Sequence, residues 1–355
     1  MACYVKFKAD TDIGGFGVMI SFLVVAWTST FFSSFRAVYQ LREWWCYSKS
    51  TAVSHRQRAE LTRLKERVAS FDPVLLSLCD LQIATGLGIV VAGFSQIRTM
   101  TYYHGQLVQS YWFLTTSSFW VIRVGNNDGI SARAVAIVIN TIMGNAFNAY
   151  TTTTQRSNWH EVGDAGFCFR WYGFTSSWPW GWTIFISIYI IEMMLEMSTR
   201  TRELLKAGFD KVDKLGVRLR RQYSDSLYQL RDERTAQKAF LFAVATVTSL
   251  VFWVGQLFAA LFVDNGPFFP LRFVVGVALS AWETCDVILL RVWNDELLAD
   301  DERKMGFGQV LPLTLLFSIV LVLTDIWSEK RDRTSLSRAD SQSQRGRLLA
   351  IVDEA

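Results

Sequence analysis

Residues 273–293 read FVVGVALSAWETCDVILLRVW, and this stretch decides how the chain is built. It is as long as the roughly 20 residues that cross a bilayer as a helix, and apart from Glu283, Asp286 and Arg291 it carries no charge. An ionisable side chain near the centre of such a helix costs about 2.5–3.5 kcal/mol on insertion scales, so each one asks for a partner or a use. Glu283 and Asp286 fall one helical turn apart on one face. Two carboxylates that close share a proton or hold a cation, unless Arg123 or Arg272 neutralises them from a neighbouring segment.

Working outward, runs of similar length recur at 13–32, 74–94, 106–122, 134–150, 178–197, 240–263 and 310–326, which with 273–293 makes eight. The expected fold is therefore all-α, a polytopic transmembrane helical bundle. The composition agrees: of 355 residues 51% are hydrophobic and 19% charged, against about a quarter charged in a soluble domain. The first run exceeds the apolar core of a typical signal peptide, so it reads as an uncleaved anchor. Residues 134–150 are interrupted by Asn140, Asn145 and Asn148, amides suited to interhelical hydrogen bonds. The domain reading is an extracellular N-terminus over 1–12, a transmembrane domain over 13–326 and a tail over 327–355. That tail mixes six basic and five acidic residues with Ser and Gln, which reads as disordered.

Orientation follows from Lys and Arg, which collect on the cytoplasmic side. There are 8 between the first two runs and 11 between the fifth and sixth, so both loops are expected inside and the N-terminus outside. Eight crossings then leave the basic start of the tail, Lys330, Arg331 and Arg333, outside; seven crossings, with one apolar run failing to cross, keep it in the cytosol. The loop 198–239 repeats Leu205, Phe209, Val212, Leu215, Leu219, Tyr223, Leu227 and Leu230 at three- and four-residue spacing, the period of one helix face. It reads as an amphipathic helix that extends the fifth span or meets an anionic lipid surface or a cytosolic protein partner. A plasma membrane location is expected. A net charge of only +4 points to no nucleic-acid partner.

The inventory of chemical groups is thin. Five scattered cysteines lack any CxxC or His-paired spacing, which argues against a zinc module. On the expected topology only Cys3 and Cys168 lie in oxidising space, where they can pair. There is no HExxH, no GxSxG and no mid-membrane Lys for a Schiff base, and no cofactor is implied. Among three histidines only His104 stands at a span boundary. Carboxylate-only catalysis stays open, with Glu283 and Asp286 protonating an alkene as in membrane terpene cyclases. Asp80 and Gln82 lie near the inner end of the second span and Gln309 near the start of the last, so the three are expected to form one polar network at the cytosolic face.

The stretch Leu78, Cys79, Asp80, Leu81, Gln82, Ile83, Ala84, Thr85, Gly86, continuing through Ala92, Gly93 and Phe94, resembles the Ser-Asp-Gln-Gln-Leu-x-Thr-Gly block of a group of uncharacterised multi-pass membrane proteins of filamentous fungi. The group's next helix opens with Tyr-His and holds a Trp-Phe-Ser-Ser run; here Tyr103 and His104 precede Trp112, Phe113, Ser117 and Ser118. Its last span opens with Phe-Gly-Gln and a Pro, as do Phe307, Gly308, Gln309 and Pro312. Cys79 and Leu81 depart from the block, and no Asn-x-Ser/Thr acceptor occurs in the N-terminal segment. The resemblance implies class and topology, not activity. The candidate functional residues are thus Asp80, Gln82, His104, Glu283, Asp286 and Gln309. A non-enzymatic, receptor-like or scaffolding role is expected, with a transporter or channel using Glu283 and Asp286 as the alternative and a membrane cyclase third.

Overall fold

The computed structural model describes residues 9–49, 55–122, 132–155 and 270–298, with isolated positions between 181 and 254 and between 317 and 328. All regular elements among them are helices: α1 Phe16–Lys49, α2 His55–Ala69, α3 Asp72–Ser95, α4 Tyr102–Ile122, α5 Ala132–Tyr150 and α6 Pro270–Asn294. A π-helical turn, Thr151–Gln155, prolongs α5, and a 3-10 turn, Asp295–Leu297, ends α6.

Local chemistry explains the boundaries. At 1.5 Å per residue α1, with 34 residues, is about 50 Å long, beyond the roughly 30 Å of a hydrocarbon core. Its polar last third is covered by the amphipathic α2, whose Leu61, Leu64 and Val68 pack with Tyr39 and Cys46 of α1. An exposed ion pair, Arg42 to Glu60 at 3.1 Å, adds under about 1 kcal/mol to this hairpin. The turn at Ser70 and Phe71 separates α2 from α3, where Pro73 occupies the first turn and Asp72 complements the helix dipole. Thr101 caps α4: its hydroxyl accepts the His104 backbone N–H at 3.4 Å.

The bundle is organised around α4, which touches α1, α3, α5 and α6 and is buried from Tyr102 through Ser118. Three helical stretches among the described residues are long and apolar enough to cross a bilayer: Phe16–Glu43, Gln57–Ser95 and Phe273–Asn294. The sequence-expected spans 106–122 and 134–150 form α4 and α5, whose polar residues keep them below that apolar mark. Such residues are tolerable in α4 because neighbouring helices, not lipid, surround it. The runs 178–197, 240–263 and 310–326 lie outside the described residues but for isolated positions. In the loop 198–239, Glu203, Leu204, Ala207, Gly208, Lys211, Lys214 and Arg218 are helical and exposed; the expected apolar stripe lies outside the described residues.

Helix directions follow from pairwise contacts. Phe22 stacks on Tyr111 with centroids 4.8 Å apart, and seven residues further along both helices Ser29 and Ser118 share one partner, so α1 and α4 run parallel. On α3, Gly86 faces Thr115 and Asn140 while Gly93 faces Val108 and Phe147; α3 is therefore antiparallel to α4 and parallel to α5. For α6, Arg291 lies over the Phe16 ring at the start of α1, Thr284 accepts the Trp27 indole N–H at 3.1 Å, and Gly276 meets Val121 at the end of α4. Thus α6 runs opposite to α1 and α4.

Close helix approach rests on glycines. A Cβ on Gly144 would overlap the Trp112 indole, and one on Gly93 would stand 2.8 Å from the Phe147 ring, whereas one on Gly88 would meet nothing within 4 Å. Gly144→Ala is expected to destabilise the protein by about 1–3 kcal/mol through overpacking. Gly88→Ala is expected to be neutral or stabilising by up to about 1 kcal/mol, since only the propensity gain remains. Thermal unfolding of the detergent-solubilised protein orders the two; equal effects would show that the α4–α5 approach is not tight.

Candidate functional site

Two polar structures cross the bundle. The first is a clamp built on Gln82. Ser29 on α1 and Ser118 on α4 donate their hydroxyl protons back to Val25 O at 2.7 Å and Leu114 O at 2.9 Å, the usual habit of serine inside an apolar helix. That leaves each oxygen free to accept. The Gln82 side-chain amide has two N–H donors and gives one to Ser29 Oγ at 2.9 Å and one to Ser118 Oγ at 2.7 Å. One side chain on α3 therefore ties three helices in a fully buried setting.

The second is the seam between α4 and α6. Because a Cβ on Gly276 of α6 would overlap Val121 and stand 3.8 Å from Ser117 O, the helical period carries the facing stripe of α6 through Ser280, Glu283, Val287, Leu290 and Asn294. The stripe of α4 runs back through Leu114, Ser110, Gln106 and Tyr103. Every residue of both stripes is buried. Glu283 lies two turns along α6 from Gly276, and Ser110 two turns back along α4 from Ser117, so in an antiparallel pair the two reach the same level. Glu283 is 0% exposed, and neither of its carboxylate oxygens has a hydrogen-bond partner, nor do Ser280 Oγ, Ser110 Oγ and Gln106 Oε1. Asp286, also 0% exposed, follows one turn later. The buried Arg291 guanidinium sits 5.9 Å from the Phe16 ring centroid, within cation–π reach.

A string of amides continues from the seam toward α5. Gln106 Nε2 donates to Gln109 Oε1 at 3.3 Å, Gln109 Nε2 donates to Thr151 Oγ1, and Thr151 donates to Phe147 O at 2.9 Å. Thr151 opens the π-helical turn, a distortion frequent at functional positions. His104 is buried beside this end, with Nδ1 2.6 Å from Thr101 Oγ1 and its ring edge-on to Tyr103; the cap it helps to form positions the start of α4.

The structure thus separates residues that the sequence reading grouped. Asp80 and Gln82 are two positions apart, about 200° around a helix, so Gln82 faces the core while Asp80 is exposed on the outer side of α3. Gln82 finds Ser29 and Ser118 instead of Asp80. Gln309, Arg123, Cys3, Cys168 and the side chain of Arg272 lie outside the described residues. Sequence reasoning missed Ser110, Ser280, Gln106 and Gln109; their signal was an unusual density of amides and hydroxyls on α4, meaningful only once α4 is known to be the central helix. Among the described residues no group of three or more His, Cys, Asp or Glu is arranged to hold a metal ion. No protein-family model, curated protein or solved structure matches the chain, so the site is read from its own geometry.

The clamp needs donors, not merely a polar group. Gln82→Glu is expected to destabilise more than Gln82→Met, because a carboxylate turned on two hydroxyl oxygens replaces two hydrogen bonds with repulsion. Gln82→Met is expected to cost about 0.6–2 kcal/mol for each of the two hydrogen bonds it removes. Unfolding midpoints of the two variants in the same detergent decide it, and the reverse order would sink the assignment.

Proposed function

We propose that this chain is a multi-pass membrane protein that handles a proton or small cation through Glu283 and Asp286, which puts it in the transporter or channel class. The observation that supports this reading is the carboxylate of Glu283, wholly enclosed at the α4–α6 seam with both oxygens unbonded. A structural ion pair alone would leave no reason to bury an acceptor without a donor, since such a group costs several kcal/mol in a dry interior. A receptor-like or scaffolding role is the second reading, favoured by the long inner end of α1 and the hairpin it forms with α2, which offer a cytosolic surface. The proposed setting is the plasma membrane with the N-terminus outside. Membership of the fungal group is likewise a proposal, supported by the Gln82 to Ser118 bond, which joins two of the blocks that carry the resemblance.

The opposite course of α6 favours seven crossings over eight. With α5 and α6 both pointing toward the side on which α1 begins, an odd number of passages must separate them, which returns the tail to the side of the basic loops.

Two experiments follow. In proteoliposomes with a trapped pH or sodium indicator, Glu283→Gln and Asp286→Asn are expected to reduce flux to the empty-liposome level while the protein remains monodisperse and helical. Wild-type protein that passes no ion would leave the receptor-like reading in possession. For topology, Thr62→Cys on α2 and Ser335→Cys in the tail are expected to react with a membrane-impermeant maleimide from the same side; labelling from opposite sides would restore eight crossings.

A further inference from the structure

We propose that one flank of the α1–α2 hairpin is a binding site for an anionic phospholipid, its phosphate held by Arg63 and Arg67 and its acyl chain lying over Phe35 and Phe31. The proposal goes beyond the ion-handling reading and does not rest on it. Printed contacts locate the flank. Leu61, Leu64 and Val68 of α2 pack on Tyr39 and Cys46 of α1, and the 3.1 Å bond from Arg42 to Glu60 marks one side of that packed face. At about 100° per residue, Phe31, Phe35 and Val38 fall within about 40° of Arg42 around α1. Around α2, Arg67 and Arg63 fall within about 60° of Glu60, turned away from the packed face. An apolar line on one helix and two guanidinium groups on the other thus border the same flank. Phe31, Phe35 and Val38 are 59%, 41% and 60% exposed, and Arg63 and Arg67 are exposed. Among the described residues neither guanidinium has a hydrogen-bond or ion-pair partner. The two arginines are i, i+4 neighbours, about 6 Å apart at Cβ, so both reach one phosphate.

The second reason is depth. The roughly 20 residues that cross hydrocarbon carry α1 from Phe16 to Phe35, and Phe71, at the turn into α3, stacks on Phe35 with centroids 5.4 Å apart. Phe31 stands edge-on to Phe35 at 5.1 Å. These three rings therefore mark the bilayer boundary. Helical hydrogen bonding runs into the turn, from Ser70 N–H to Glu66 O at 3.2 Å and from Phe71 N–H to Val68 O at 3.0 Å. Arg67 and Arg63 accordingly rise about 6 and 12 Å beyond Phe71, at the level of the phosphates and close to the Debye length of about 8–10 Å from the surface charge. Arg42 is balanced by Glu60, which leaves the two positive charges of Arg63 and Arg67 on the flank and favours a headgroup of net negative charge over a zwitterionic one. The negative end of the helix dipole accounts for cations in the last turn of α2. It does not account for the exposed apolar line that leads up to them.

The test uses the full-length protein in detergent and counts bound lipids by native mass spectrometry while phosphatidylserine and phosphatidylcholine are titrated in equal amounts. The unaltered protein is expected to retain phosphatidylserine in preference. Arg63→Gln and Arg67→Gln are each expected to cut that preference about fivefold, the equivalent of about 1 kcal/mol for one cation beside an anionic headgroup, with the protein still monodisperse. Phe31→Ala is expected to weaken retention of both lipids alike, since a chain contact does not sense the headgroup. Arg58→Gln and Lys65→Gln, which change exposed cations on the other flank of α2, are expected to leave the preference unchanged. Equal retention of the two lipids by the unaltered protein would remove the site and leave this surface to a protein partner. Losses from Arg58→Gln or Lys65→Gln as large as that from Arg63→Gln would show a diffuse basic surface and overturn the assignment to one flank. Neither result bears on the ion flux proposed for Glu283.

Discussion

A polar helix cannot face hydrocarbon, and α4 is a polar helix. Its Tyr, Gln, Ser and Thr side chains would each cost free energy against lipid, so the bundle must enclose it on every side. The rest of the architecture follows from that enclosure. Helices α1, α3, α5 and α6 ring α4 and turn their exposed apolar residues, such as Phe31, Val91, Ile142 and Val274, outward. Glycines on α3, α5 and α6 stand where the ring must come nearest to other helices. In a membrane no hydrophobic drive holds helices together, so close backbone approach and hydrogen bonds carry the association.

The two polar structures divide the work differently. In the clamp, every donor is used: each serine gives its proton to its own helix and receives one from Gln82, while Gln82 Oε1 stays without a partner. These bonds fix the register of α1, α3 and α4 and occupy the two serine oxygens and the Gln82 amide nitrogen. In the seam, the Glu283 carboxylate, the Ser110 and Ser280 hydroxyls and the Gln106 amide oxygen are buried without forming hydrogen bonds, which is costly in a scaffold. The contrast is one of charge: the clamp is neutral, whereas the seam encloses a carboxyl group.

The helical class and the positions of the apolar helices were legible in the sequence, because an apolar run near bilayer length suits a membrane helix. Glu283 and Asp286 were legible too, since charge in such a run is costly wherever its helix packs. What could not be read was which helices meet. Gln82 was singled out, but its partners Ser29 and Ser118 are 53 and 36 residues away, and nothing local distinguishes them from Ser33 or Ser117. Grouping Asp80 with Gln82 neglected the angle between them, a correction the helical period itself supplies. The course of α6 was not legible either, because hydropathy marks apolar segments and is blind to their direction.

The course of α6 also bears on why its carboxylates are tolerated. Running antiparallel to α4, α6 places the acidic pair at the depth of Ser110 and Gln106 and its cationic end, Arg291, against Phe16 at the start of α1. Were α6 reversed, Arg291 would lie level with the far end of α4 and Gly276 with its beginning, so that the small residue would no longer admit Val121. The glycine that admits Val121 and the side chains that demand polar company are thus set in one order along α6, and only one direction of the helix satisfies both.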